Sequence, residues 1–158
     1  MAGTPTKQPF LPPRWFIRGA WVVHRALYSI SGGRLGLGKP TAKTYGTLRL
    51  HTTGRKTGAE RVAMLGYFED GPNLFTLAMN GWGEPEPAWW LNLQANPDAT
   101  LDLPDGPRQV HARVATGDER ARLWSEIQQR NADLDGYAAL RSRQTAVVVF
   151  EPRPPDTP

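Results

Sequence analysis

The chain has 158 residues, of which 39% are hydrophobic, and this size and composition fit a single compact domain. It contains no cysteine, which excludes disulfides, thiolate metal sites and a cysteine nucleophile. The net charge of +4 is uneven: residues 1–61 hold eleven Lys or Arg and one Glu, whereas residues 62–158 hold eight basic and fourteen acidic residues. The asymmetry predicts that the amino-terminal part meets an anion, unless the charge is simply a solvated surface.

The two ends of the chain predict frayed tails, over residues 1–13 and 153–158, around one domain at 14–152. No apolar run approaches the ~20 residues that span a bilayer. Prolines stand where a signal peptide would carry its apolar region. We therefore expect a cytoplasmic protein.

The first predicted element is an amphipathic helix over residues 15–30. Its basic stripe lies opposite tryptophan, phenylalanine and branched apolar residues, and it comprises Arg14, Arg18 and Arg25. Such a helix either packs on the domain or lies on the inner face of the cell membrane.

Downstream of this helix, the pattern alternates between strands and short helices. Strands are predicted over residues 47–53, 61–68, 74–79, 100–103, 109–115 and 146–150. Helices are predicted over residues 88–96, 117–129 and 135–141, the second opened by a capping box of Thr116 and Glu119. Six strands, mostly linked as hairpins, with inserted helices favour a mainly β, α+β fold built on a small barrel over a doubly wound sheet.

Several familiar kinds of site find no support in the sequence. Residues 33–39 match the start of a phosphate-binding P-loop, but Pro40 replaces the magnesium-binding hydroxyl and no strand precedes it. The three histidines lack metal-ligand spacing, so no metal site is predicted. No nucleophile elbow of the Gly-x-Ser-x-Gly type occurs. Glu84 and Glu86 lie in a predicted loop, where we expect them to be solvated.

A basic turn is the most promising segment for chemistry. It runs Thr52-Thr53-Gly54-Arg55-Lys56-Thr57-Gly58 and is followed by Arg61. Two glycines free the backbone, and three cations with the hydroxyls of Thr53 and Thr57 can converge on one anion such as a phosphate. An exposed basic hairpin tip would have the same residues.

A second cluster could bind a flat ring. It combines Asn80-Gly81-Trp82-Gly83 with Trp89, Trp90 and Asn92. The alternative is that these tryptophans belong to the hydrophobic core, because tryptophan is costly to leave exposed.

The two clusters together, in this order along residues 14–152, resemble the deazaflavin-dependent nitroreductase family. The resemblance includes the Gly-Arg-Lys-Thr-Gly turn, Asn80-Gly81, the segment 89–97 and the segment 119–124. It implies a split β-barrel and the coenzyme F420, a hydride carrier with a polyanionic phosphodiester and oligoglutamate tail. The implied activity is hydride transfer to an electron-poor acceptor: a quinone, an activated alkene or a nitroaromatic.

The resemblance also implies roles for individual residues. The phosphate or tail would be bound by Arg55, Lys56, Thr57, Gly58 and Arg61. The ring pocket would be lined by Met64, Ala78, Met79, Asn80, Trp89 and Asn92. Tyr137 would close the pocket over the substrate and either orient it or donate a proton.

The substrate side departs from the family pattern. Active family members often have serine at Met79, proline at Met64, and tyrosine at Gly66 and Leu134. The cofactor motif is therefore matched better than the acceptor pocket, and the acceptor stays open.

Other functions remain open. An FMN-binding split barrel could use the same phosphate turn, and a non-catalytic deazaflavin carrier would share the cofactor site. The basic charge could also serve nucleic acid, but no nucleic-acid-binding motif accompanies it, so we expect none. A homodimer is expected by analogy with other split barrels.

Overall fold

The computed structural model describes residues 13–19 and 36–154. Six antiparallel strands close into a barrel in the order β1-β2-β3-β6-β5-β4. The strands are β1 (Gly46–Thr53), β2 (Glu60–Asp70), β3 (Asn73–Leu77), β4 (Asp98–Leu103), β5 (Gly106–Val114) and β6 (Val147–Pro152). The helices are α1 (residues 14–19), α2 (Ala88–Ala95), α3 (Gly117–Arg130) and α4 (Leu134–Ala138).

Strand alternation divides the hydrophobic residues into two cores. In β1, Leu48 and Leu50 point into the barrel and are completely buried, as the period of two predicts. In β2, Leu65 and Tyr67 point into the same interior core. The second core lies outside the barrel, where the opposite faces of β2, β3 and β6 pack under α3 and α4.

Tyr67 shows how dry the barrel interior is. Burial raises the pKa of its phenol to about 12, with further contributions from the charges of Glu69 and Asp105. The hydroxyl therefore stays neutral at physiological pH.

The barrel and its six strands are confirmed. β3 ends two residues before its predicted end: the N–H of Ala78 still donates to the carbonyl of Ala146 in the register of β3 and β6, but the N–H of Met79 turns back to the carbonyl of Leu77. β5 begins earlier than predicted, at Gly106, whose φ of +124° closes the tight turn after β4. Of the helix predicted over residues 15–30, the described part is helical and the rest lies outside the described residues. Of the tails predicted over residues 1–13 and 153–158, residues 1–12 and 155–158 also lie outside the described residues.

The capping box predicted at α3 is wrong. Thr116 precedes the helix, but its side chain caps no backbone N–H. Glu119 instead receives a bidentate pair of hydrogen bonds from Arg113 on β5. A charged partner six residues earlier in the chain competes successfully with the cap.

Among the described residues, no helix combines the length and the apolar character needed to cross a membrane.

Candidate functional site

A cleft of about 1210 Å³ runs along the outer face of β2. Because Leu65 and Tyr67 point into the barrel, the residues of β2 that alternate with them face this cleft: Val62, Met64, Gly66 and Phe68. The opposite wall comes from α3, α4, the loop after β3, and α2. The volume slightly exceeds the ~300–1,000 Å³ of ordinary ligand pockets, so the cleft has room for a cofactor and a second molecule.

The lining of the cleft has one sign of charge. It includes six cationic side chains and, among the described residues, no carboxylate. The cations are Arg18, Lys43, Arg55, Lys56, Arg61 and Arg130. Such a surface favours a polyanionic ligand.

The basic turn at one end of the cleft is closed by its own backbone. The N–H of Gly54 donates to the carbonyl of Ala59 over 2.7 Å, and the N–H of Gly58 donates to the carbonyl of Gly54 over 2.8 Å. Gly58 has a φ of +73°, a conformation that L side chains rarely adopt. The turn thereby presents the side chains of Arg55 and Lys56 to solvent at the mouth of the cleft.

Asn92 on α2 anchors this turn. Its Oδ1 accepts hydrogen bonds from the backbone N–H and from Nη1 of Arg55, both over 3.2 Å. Its Nδ2 donates to Oγ1 of Thr52 over 3.3 Å. The side chain is only 4% exposed, so these bonds form in a largely dry environment. Asn92 therefore acts on the cleft by positioning Arg55.

The loop after β3 forms a second wall. Gly81 and Trp82 both have positive φ, +57° and +60°, which turns the Trp82 ring toward α4. There it stacks on Tyr137, with ring centroids 6.0 Å apart and an interplanar angle of 12°. Tyr137 is half-buried in this stack and still lines the cleft.

A buried arginine holds the same loop in place. Arg141 donates to the carbonyl of Ala78 and to Oγ1 of Thr145, and its Nη2 lies 3.1 Å from a carboxylate oxygen of Glu86. Glu84 accepts from the backbone N–H and the hydroxyl of Ser142. The expectation that Glu84 and Glu86 are simply solvated is wrong, because both fasten the loop to the segment before β6.

The bond from Ser142 also affects the ionisation of Glu84. The hydrogen bonds from the Ser142 hydroxyl and backbone hold the pKa of this carboxyl below its ordinary value of 4.5.

Most of the predicted site residues converge on the cleft. They are Arg55, Lys56, Thr57, Arg61, Met64, Met79, Asn80, Trp89, Asn92 and Tyr137. Three do not line it: Thr53 and Gly58 flank the basic turn, and Ala78 is completely buried in the barrel core. Trp89 satisfies both alternatives of the sequence analysis, since it belongs to the core and lines the cleft.

Sequence reasoning missed the far end of the cleft. It is formed by Lys43 and Tyr45 before β1, and by Arg130 and Asn131 at the end of α3. Arg130 joins the two segments, because its Nε donates to the carbonyl of Thr41 and its guanidinium lies 5.2 Å from the centroid of the Phe68 ring. Only the excess of cations before residue 61 hinted at such a site.

The described histidines lie away from the cleft lining. His51 bridges two carboxylates, with Nε2 2.8 Å from Asp102 and Nδ1 3.4 Å from Glu60. His111 contacts Asp98. Among residues 13–19 and 36–154, no three His, Asp or Glu side chains are grouped so as to hold a metal ion.

Comparisons with known proteins agree with this geometry. The family model described as F420H(2)-dependent quinone reductase matches residues 21–152. The chain is 36% identical over 149 residues to an F420H(2)-dependent quinone reductase of Mycobacterium tuberculosis, covering 89% of this chain and 97% of that protein.

Two solved structures extend the comparison. One is an F420-H2 Dependent Reductase (FDR-A), with a TM-score of 0.60 and 25% identity over 66% of this chain and 93% of that one. Another, described as a domain-swapped dimer, has a TM-score of 0.64 and 24% identity over 89% of this chain and 100% of that one. The similarity to the domain-swapped dimer supports the assignment of the fold only.

Proposed function

This chain belongs to the F420H(2)-dependent quinone reductase family and is an F420H2-dependent oxidoreductase, and we propose that it reduces a quinone-type acceptor in the cleft along β2. The cofactor is coenzyme F420, as the resemblance implied. The observation that supports the site best is the convergence of ten predicted residues on one cleft whose described lining has six cations and no carboxylate.

The residues present fit this cofactor. Its tail carries a phosphodiester and several carboxylates, which need a cationic surface without competing acids. The exposed side chains of Arg55, Lys56 and Arg61 provide that surface at the mouth of the cleft. We assign bidentate contacts to the two arginines and a point charge to the lysine.

The apolar middle of the cleft suits the ring and the acceptor. Met64, Met79 and Trp89 line it, and the stacked pair of Trp82 and Tyr137 forms the opposite side. Apolar walls exclude water, which protects a hydride donor from side reactions. The protein therefore contributes by positioning the cofactor ring next to the acceptor and by excluding water from the cleft.

One proton completes the reaction. Reduced F420 supplies a hydride, and a quinone that accepts it needs one proton to become the hydroquinone. Tyr137 can orient the acceptor, and its hydroxyl can donate a hydrogen bond or the proton to a carbonyl oxygen of the acceptor.

The first test is anaerobic oxidation of F420H2, followed by its absorbance, with a naphthoquinone, an activated alkene and a nitroaromatic as acceptors. We expect the quinone to give the highest kcat/KM. Preference for either other acceptor would contradict the assignment to quinones. If the protein binds F420 but reduces no acceptor, it is a deazaflavin carrier and not a reductase. If it binds FMN more tightly than F420, FMN is the cofactor.

We further propose that α1 brings the protein to a membrane surface at the cytoplasmic face. Trp15 and Phe16 are 74% and 55% exposed, whereas Ile17 packs on Gly81 at the cleft. Flotation with anionic vesicles should fall for a Trp15→Ser, Phe16→Ser variant and persist for Val114→Ser, an exposed apolar position on β5. Equal flotation of the two variants would contradict the proposal.

A homodimer is also proposed, by analogy with other split barrels. Sedimentation analysis tests it directly, and a single species of monomer mass would contradict it. Exposed strand edges give no reason for association, because the barrel of described strands is closed.

A further inference from the structure

Tyr45 lies immediately before β1, and its ring covers the backbone of Gly66 on the cleft face of β2. A Cβ placed on Gly66 would lie 2.8 Å from Cδ2 of Tyr45 and 3.3 Å from its Cγ. The tyrosine ring therefore occupies the space that a side chain at position 66 would take. Tyr45 lines the cleft and is 58% exposed among the described residues, so its ring is accessible to a ligand in the cleft.

Local structure fixes the backbone that carries this ring. Before it, Oγ1 of Thr41 accepts the N–H of Thr44 in a tight turn. Arg130 on α3 donates from Nε to the carbonyl of Thr41 over 3.2 Å. After the ring, Gly46 is enclosed so closely that a Cβ there would lie 2.6 Å from the Tyr67 ring. The exposed ring is thus carried on a fixed backbone.

The position along β2 assigns the ring to the acceptor half of the cleft. Arg61, at the basic turn, pairs with Thr52, whereas Gly66 pairs with Thr47. Five residues of extended strand separate them, or about 16 Å at ~3.3 Å per residue. The charged tail of the cofactor is bound at the Arg61 end under the proposed function, and this inference depends on that function.

We propose that Tyr45 is a specificity-determining residue, a flat wall against which the ring system of a bicyclic quinone lies. Gly66 is the complementary position, since only a residue without a side chain lets the tyrosine ring lie flat on β2. Aromatic stacking beyond simple burial changes affinity by roughly 3- to 10-fold. A two-ring quinone covers more of the Tyr45 ring than a one-ring quinone does, so we expect the protein to bind the two-ring quinone more tightly.

The first test compares Tyr45→Ala with Tyr45→Phe, and Val114→Ala is the control for loss of an exposed apolar side chain. For Tyr45→Ala we expect the KM for a naphthoquinone to rise about 3- to 10-fold, with a smaller rise for a benzoquinone. The kcat should stay within about twofold and F420 affinity should be unchanged. Tyr45→Phe and Val114→Ala should resemble the native protein.

Gly66→Ala tests the same contact from the other side. The added methyl group must displace the Tyr45 ring, so this variant should raise the KM as Tyr45→Ala does. Because both changes remove one wall, the double variant should be no worse than either single variant. Additive effects would overturn the inference, as would an unchanged KM in Tyr45→Ala.

A binding measurement separates this inference from the proposed function. The dissociation constant of the naphthoquinone, measured by quenching of tryptophan fluorescence without cofactor, should rise in Tyr45→Ala and Gly66→Ala. If the native protein binds F420 but reduces no quinone, the proposed function fails, and this constant still reports on Tyr45. A loss of F420 affinity in Tyr45→Ala would place the ring in the cofactor site and overturn the inference.

Discussion

The buried amide of Asn92 joins α2 to the basic turn, and replacing it by alanine should weaken both stability and cofactor binding. The change removes two hydrogen bonds with Arg55 and one with Thr52. At ~1 kcal/mol for each bond, the free energy of unfolding should fall by about 2–3 kcal/mol. For a chain of this length that corresponds to a decrease in Tm of roughly 5–10 °C.

The effect on cofactor binding should pass through Arg55. Without the hydrogen bonds from Asn92, the basic turn becomes ordered only when the ligand binds. The free-energy cost of this ordering reduces the binding free energy, so F420 affinity should fall about 10-fold. Urea unfolding measures the stability, and quenching of F420 fluorescence measures the affinity. Gln94→Ala, an exposed change on the same helix, is the matched control and should alter neither quantity.

A double-mutant cycle decides whether the reasoning is correct. In an Arg55→Ala background, Asn92→Ala should cost little further affinity, because the residue it positions is already gone. Full and independent losses from both changes would mean that Asn92 binds the cofactor directly. A stable Asn92→Ala variant with native affinity would refute the anchoring role altogether.

Other predictions follow from single contacts. Arg141→Met leaves the carboxylate of Glu86 without its buried partner and should lower the free energy of unfolding by about 3–5 kcal/mol in urea, with partial recovery on adding Glu86→Gln. Tyr137→Phe keeps the ring that stacks on Trp82, and kcat should fall at least about tenfold; an unchanged kcat would exclude the proton-donor role. Hydrogen bonds from Arg122 hold the pKa of Asp70 below 3.8, so their stabilisation is present above about pH 4 and is lost as the pH falls. Below pH 4, Tm should depend less steeply on pH in Arg122→Gln than in the native protein. Equal slopes would argue that the Asp70–Arg122 pair does not cause the pH dependence of stability.

The barrel could be predicted because its signals are local. Leu48 and Leu50 alternate with polar residues, which predicts a strand. The residues Asp70-Gly71-Pro72-Asn73 predict a turn whatever elements the turn connects. The basic turn was predictable for the same reason, since two glycines and two cations stand within five residues. Its function became specific only through the family resemblance, because an exposed hairpin tip has the same composition.

The rest of the cleft depends on contacts between distant parts of the chain. Glu86 and Arg141 stand 55 residues apart, and Arg130 meets Thr41 across 89 residues. The interactions of these side chains are set by the closure of the barrel, which local propensity does not encode. Glu119 failed as a capping residue for a different reason, because Arg113, only six residues earlier on β5, offers it a charged partner.

The most direct measurement of the central claim is the affinity of the purified protein for oxidised F420, beside FMN, by fluorescence quenching. The comparison pairs Arg55→Ala, Lys56→Ala with Lys39→Ala, Arg108→Ala, which removes the same charge from positions outside the cleft lining. We predict micromolar or tighter F420 binding that falls at least about tenfold in the first variant only. Equal affinities in the two variants, or tighter binding of FMN, would contradict the account.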